Sequence, residues 1–148
     1  MKARKVDPIK NGTVIDRIPG GRGQRVLGIL KPMSNDVVMM GMNFSSRAMG
    51  QKDIIKIEGR ELTQIEVNSI ALIAPDAKVS IIRDFKVTQK SKVQIPELIE
   101  GLVACGNVKC ITNGEPMQTK FKLIDAGKQE YACQYCERVF NADELKHI

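Results

Sequence analysis

Four cysteines, Cys105, Cys110, Cys133 and Cys136, are the residues of this 148-residue chain best equipped for chemistry. Four residues separate the first two, two separate the second two, and 22 lie between the pairs. Such spacing lets each pair close a turn from which two thiolates converge on one ion, as tetrahedral zinc requires. Three other readings compete. Disulfides belong to oxidising compartments, whereas the basic start Met1-Lys2-Ala3-Arg4-Lys5 leads into no apolar segment of secretory type, so a cytoplasmic protein is expected. A redox motif at Cys133-Gln134-Tyr135-Cys136 would ordinarily sit where a strand meets a helix, with no second pair nearby. Catalytic zinc needs one open position for water or substrate, and four thiolates leave none. One structural zinc ion per chain is the expectation.

Other chemistry has little to build on. His147 is the only histidine; it lies near the chain end, where solvent exposure and no role are expected, and no nucleophile–base set accompanies it. Gly20-Gly21-Arg22-Gly23 lacks the spacing and the lysine of a phosphate loop and reads as a turn. The net charge of +6 is unevenly placed: residues 1–100 hold 17 Lys and Arg against 11 Asp and Glu, while residues 101–148 hold 6 of each. A neutral cysteine segment makes a poor phosphate-binding surface. Aromatic residues at 4%, with no tryptophan, make a poor base-stacking platform. No apolar run approaches the ~20 residues that span a bilayer. Neither a nucleic-acid nor a membrane partner is expected, although a nucleic-acid-binding zinc ribbon and a thiol oxidoreductase remain as alternatives.

The elements that must position these residues follow from periodicity. Gly12–Ile18 alternates apolar and polar side chains and predicts a half-buried strand. After the Pro19-Gly20-Gly21 turn, Val26, Leu27 and Leu30 fall at helical spacing, and Lys31-Pro32 closes that helix. Val37–Phe44 and Asp53–Glu58 read as strands. Thr63 with Glu66 forms a capping box that opens a helix carrying Ile65, Ile70, Leu72 and Ile73 and ending before Pro75. Val79–Ile82 and Lys86–Val93 complete a hairpin through Asp84. Strand, helix, strand, strand, helix, strand plus one extra strand is the ferredoxin-like α+β order, an antiparallel sheet with two helices on one face. Ile95-Pro96 marks a boundary, giving domains 1–96 and 97–148. The second is expected to be a small all-β, zinc-ribbon-like domain, with strand runs at Leu98–Ala104, Lys120–Ile124 and Glu130–Ala132 and a short helix at Ala142–Lys146. Such a segment is too small for a self-sufficient core, so a metal brace suits it.

Several strings, in order, resemble the regulatory chain of aspartate carbamoyltransferase. They are Ile9-Lys10-Asn11-Gly12-Thr13-Val14-Ile15-Asp16, the run from Met49 to Glu58, Ala74-Pro75-Asp76-Ala77, and the two cysteine pairs with Cys110-Ile111-Thr112-Asn113 and Tyr135-Cys136-Glu137. The resemblance implies a non-catalytic allosteric subunit of pyrimidine biosynthesis. Such chains pair into homodimers through the N-terminal domain, and three dimers bridge two catalytic trimers. They bind CTP, ATP and often UTP, and their zinc domain contacts the catalytic chain. By the same match, Lys56 lies near the ribose, Lys90 near the phosphates, and Asp16 accepts from a sugar hydroxyl. Ile9, Val14, Ile82 and Val87 pack round the base, whose edge is read by backbone near Ile9 and Phe85. Asp7, Pro8, Ile54 and Ser80 fill further positions. Arg17 stands where the family usually has histidine, which replaces a titratable group by a permanent cation able to fork onto phosphate. Ser80 stands in place of asparagine. In the zinc domain Asn107 and Glu137 match contacts to the catalytic chain, while Lys109 replaces an asparagine.

Overall fold

A computed structural model describes residues 8–148, which fall into two compact units meeting between Gln94 and Ile95. The first unit runs β1 (Gly12–Pro19), α1 (Gly23–Leu30), β2 (Val37–Ser46), β3 (Gly50–Glu58), α2 (Gln64–Ile70), β4 (Lys78–Arg83) and β5 (Lys86–Lys92). Its sheet has the order β2-β3-β1-β4-β5, and every neighbouring pair is antiparallel. This is the ferredoxin-like arrangement with β5 added at one edge. Alternation decides which face is covered: Ile15 pairs with Ile55 and Val79, Thr13 with Ile57 and Ile81, and all six are buried. Val26, Ile29 and Leu30 of α1 and Val67 and Ile70 of α2 are buried with them. Each such aliphatic side chain contributes roughly 1.5–3 kcal/mol by leaving water. The intervening residues Val14, Asp16, Lys56 and Ser80 remain half-buried on the other face.

The helices are pinned at their ends by unlike means. Helix α1 has no capping side chain of its own at Arg22. Instead the fully buried carboxylate of Asp53, on β3, accepts from the backbone N–H of Gly21 at 3.0 Å, Gly23 at 2.8 Å and Asn43 at 2.8 Å. One side chain thus satisfies the open donors of a helix start and holds the β2 bulge, where Asn43 sits at φ 60°. Helix α2 has the capping box expected at Thr63 and Glu66. Arg60 joins the two helices, donating to Leu30 O at 3.0 Å and to the Glu66 carboxylate. Two expectations fail here. Helix α2 stops at Ile70 and continues to Ala74 as tighter turns, and Ile65 is 80% exposed, off the buried stripe.

The second unit comprises β6 (Leu98–Glu100), β7 (Val103–Ala104), a single turn α3 (Ile111–Gly114), β8 (Lys120–Asp125), β9 (Glu130–Cys133), β10 (Val139–Asn141), a 3-10 turn (Ala142–Glu144) and β11 (Lys146–His147). A four-stranded sheet has the order β10-β9-β8-β6, and β11 pairs with β7 alone. The run Leu98–Ala104 is therefore not one strand: Gly101, at φ 66°, turns the chain from one sheet to the other. The helix expected at Ala142–Lys146 is a 3-10 turn capped by Asn141, followed by a strand, and His147 is half-buried opposite Val103. The core is small. Ile99, Val103, Phe121, Tyr131 and Leu145 are its large buried side chains, with Phe140 meeting Phe121 edge-on at 6.5 Å. Burial pushes the Tyr131 phenol well up, and its hydroxyl donates to Pro96 O at 2.6 Å. No helix among the described residues is long and apolar enough to cross a membrane.

Candidate metal centre and cationic cleft

Two turns bring the cysteines together. Cys105 and Cys110 flank the loop between β7 and α3, while Cys133 ends β9 and Cys136 follows in a turn closed by Glu137 N–H donating to Cys133 O at 2.9 Å. Glu137 takes a left-handed φ of 63° to make that turn. The four Sγ atoms all lie within 4.8 Å of one another, with Cys105–Cys136 at 3.7 Å and Cys110–Cys133 at 3.8 Å. A disulfide would need about 2.05 Å. Four metal–sulfur bonds of about 2.3 Å in a tetrahedron put neighbouring sulfurs roughly 3.8 Å apart. The thiols therefore fit one shared ion and no disulfide.

The backbone is prepared for thiolates. Each sulfur is met by the N–H two residues on: Asn107 for Cys105, Thr112 for Cys110, Tyr135 for Cys133 and Arg138 for Cys136. Without an ion, burial still dominates at Cys105 and pushes that thiol up to about 12. Burial also opposes ionisation at Cys136, but the Arg138 N–H and the Asn107 side chain outweigh it and bring that thiol down to about 7. Donors aimed at sulfur stabilise its charged form, the form that binds metal. Asn113, which the motif spacing did not single out, braces the first loop by donating to Cys105 O at 3.1 Å and Asn107 O at 2.8 Å. Lys109 and Glu137 are exposed and Asn107 is half-buried, its Oδ1 accepting from Lys109 N–H at 3.1 Å. Around them Val108 (86% exposed), Ile111 and Tyr135 present apolar surface to solvent.

The other arrangement lies on the uncovered face of the five-stranded sheet. Register puts Lys56, Val14, Ser80 and Lys90 in one row across β3, β1, β4 and β5, and one rung on it puts Asp16 beside Lys78 and Lys78 beside Lys92. A cleft of about 410 Å³ is lined by Asp16, Lys78, Ser80, Lys90, Ser91 and Lys92. Asp16, Ser80 and Lys90 thus line one cleft. Ile82 pairs with Gly12 and Val87; Ile82 and Ile9 are buried, Val87 is exposed, and Phe85 is 63% exposed. Phe85 N–H donates to Lys10 O at 2.9 Å and Asp84 N–H to Asn11 Oδ1 at 3.2 Å, so the β4–β5 turn ties down the segment beginning at Ile9. Ile54 is half-buried opposite Gly41, Pro8 is exposed, and Asp7 lies outside the described residues. Arg17 is set apart from Lys90: a bulge in β1 gives it φ 60°, its N–H donates to Asp16 Oδ1 at 2.7 Å, and it lines a neighbouring cleft. Lys52, missed by sequence reasoning, holds Asp16 in an ion pair at 3.1 Å. Its parity with Lys56 along β3 was the available signal.

A sheet domain with a cationic open face is joined to a module whose four thiols are placed to hold one metal ion. Residues 4–94 match the family model for the aspartate carbamoyltransferase regulatory chain, allosteric domain, and residues 97–146 match that for its metal binding domain. The sequence is 49% identical over 148 residues to the aspartate carbamoyltransferase regulatory chain of Pyrococcus abyssi, covering 98% of this chain and 97% of the relative. The corresponding chain of Pyrococcus horikoshii is 48% identical over the same shares. That of Natronomonas pharaonis is 44% identical over 147 residues, covering 97% of this chain and 94% of the relative. The chain belongs to the family of aspartate carbamoyltransferase regulatory chains, and is a regulatory, non-catalytic subunit with an allosteric domain and a metal-binding domain.

Proposed function

We propose that residues 1–96 bind nucleoside triphosphates, CTP, ATP and UTP, and that residues 97–148 hold one zinc ion and dock onto the catalytic chain. The observation that carries the nucleotide reading is the row Lys56–Val14–Ser80–Lys90: an apolar spot for a base and a hydroxyl for orientation, flanked by cations for ribose and phosphate. Asp16 and the surfaces of Ile9, Ile54, Ile82, Phe85 and Val87 complete that pocket, and the family match adds Pro8 and Asp7. Four thiolates at tetrahedral spacing favour zinc over harder cations. Exposed apolar Val108 and Tyr135 beside Asn107, Lys109 and Glu137 favour a protein partner for the metal module.

The two sheet edges differ in a way that supports homodimerisation through the N-terminal domain. Edge strand β5 carries Lys86, Lys90 and Lys92, which discourages pairing, whereas edge strand β2 has no charged residue from Val37 to Ser46. Half-buried Met39 and Met40 and exposed Met42 on β2 supply adaptable apolar surface for a second copy. Three such dimers would link two catalytic trimers in the cytoplasm and control pyrimidine biosynthesis. Control requires only that an effector bind the two quaternary states with different affinity. The test is reconstitution with catalytic trimer and rate measurements with CTP or ATP. The unsubstituted chain should make the rate nucleotide-dependent, and Lys90→Ala should raise the effector concentration needed about tenfold while docking persists. A rate indifferent to both nucleotides refutes the proposal.

A further inference from the structure

Two Asn-Gly steps occur in the chain, Asn11-Gly12 and Asn113-Gly114. Such a step is open to loss of the side-chain amide, because a residue without Cβ leaves its own N–H unhindered beside the preceding carboxamide. Asn113 and Gly114 are both exposed, and a Cβ at Gly114 would meet no atom within 4 Å, so water and base can reach them. The two asparagines are used in opposite senses. Asn11 is an acceptor: its Oδ1 takes the Asp84 N–H at 3.2 Å, which a carboxylate would do as well. Asn113 is a donor twice over, to Cys105 O at 3.1 Å and Asn107 O at 2.8 Å, which a carboxylate cannot be.

Two locks keep Asn113 from reacting. Closing a five-membered imide ring turns the Gly114 nitrogen towards Cβ of Asn113, far from the helical ψ of about −42°. The α3 turn holds Asn113 in helical backbone, its N–H donating to Cys110 O at 2.9 Å. The second lock is the pair of carbonyls that pins the carboxamide to the first cysteine loop. Both locks hang on thiol residues of the metal cluster. Cys105 supplies one carbonyl, Cys110 opens α3, and the Thr112 hydroxyl donates to Cys110 Sγ at 3.2 Å.

Resting on the metal reading above, we propose that Asn113-Gly114 is a deamidation site that metal binding keeps closed. In the stripped chain the first loop and α3 open. The Gly114 nitrogen gives its proton to solvent base and attacks Asn113 Cγ, and the Cγ–Nδ2 bond breaks to release ammonia. Water then opens the imide to aspartate or, at the other carbonyl, to isoaspartate, which adds a carbon to the backbone. Either product replaces two donors by a negative charge beside thiols that must themselves ionise to take up metal. A chain left without its ion thereby loses the means to take it back.

The test incubates the full-length chain under reductant at mildly alkaline pH, zinc-loaded or chelator-stripped. Mass and isoaspartate content of the Asn113 peptide are followed, then zinc uptake on reloading. Deamidation at Asn113 should run at least about tenfold faster in the stripped chain, while Asn11, in the other unit, reacts at one rate in both. Gly114→Ala, which the open space there admits, should slow the reaction and preserve reloading. Asn113→Asp should weaken zinc binding about 10- to 100-fold. Equal rates at Asn113 with and without zinc, or no reaction in the stripped chain, overturn the inference. So does parental zinc affinity in Asn113→Asp, or a stripped Gly114→Ala chain that loses zinc uptake as fast as the parent. Equal acceleration at Asn11 would make the effect general unfolding and overturn it too. A fresh chain that takes up no zinc sinks the metal reading and this with it.

Discussion

The two units reach a fixed structure by different routes. The N-terminal unit covers one sheet face with two helices and stacks aliphatic rows such as Ile15, Ile55 and Val79, so its core is continuous and its other face stays open and polar. The C-terminal unit has five large buried side chains and four buried or half-buried thiols converging within 4.8 Å. Where apolar area suffices, charge can be placed for function; where it does not, the charged groups themselves become the core. A buried ionisable group therefore means different things in each half: Asp53 caps a helix, while the four thiols are placed to hold an ion.

Removing one thiol is the sharpest way to break the contrast. Cys133→Ala should cost the second unit most of its metal-linked stability, on the order of 10 kcal/mol, while the first unit stays folded. Zinc content together with amide hydrogen exchange over both units would check this, and protection retained beyond Gln94 would contradict it. Asp53→Ala reverses the experiment. Three N–H donors lose their acceptor, so the first unit should lose on the order of 3 kcal/mol in denaturant unfolding while metal content stays constant.

Acidity should separate the units as well. Metal binding displaces thiol protons, and the metal-free thiols hold them up to about 12 at Cys105 and about 7 at Cys136. Apparent metal affinity should therefore rise as pH climbs through that window and fall as pH drops towards and below 7, where Cys136 is protonated too. Competition with a chromophoric chelator at several pH values reads this directly, and a flat profile would exclude thiolate ligation. Smallest is Thr63→Ala, which removes a cap from α2 alone and should cost about 1 kcal/mol in the first unit.

What the sequence disclosed depended on how local the determining physics was. The alternation of β1, the Thr63–Glu66 box and the cysteine spacing are short-range patterns, and each has the predicted local form. Asp53 was not legible, because its role needs the β2 bulge and the start of α1 to meet it from 10 and 30 residues away in the chain. Ile65 misled because a seven-residue helix offers too few turns for periodicity to choose a face. Arg17 looked like a neighbour of Asp16 in function as in sequence, and a single bulge assigns them to separate clefts.

Tyr131 sits two residues before Cys133 on β9 and grips the carbonyl of Pro96, just past the junction at Gln94. Loss of the ion should therefore loosen the hold of Tyr131 on Pro96. Protease nicking near Ile95 should then rise as the ion is stripped, and becomes a gauge of how much metal the protein carries.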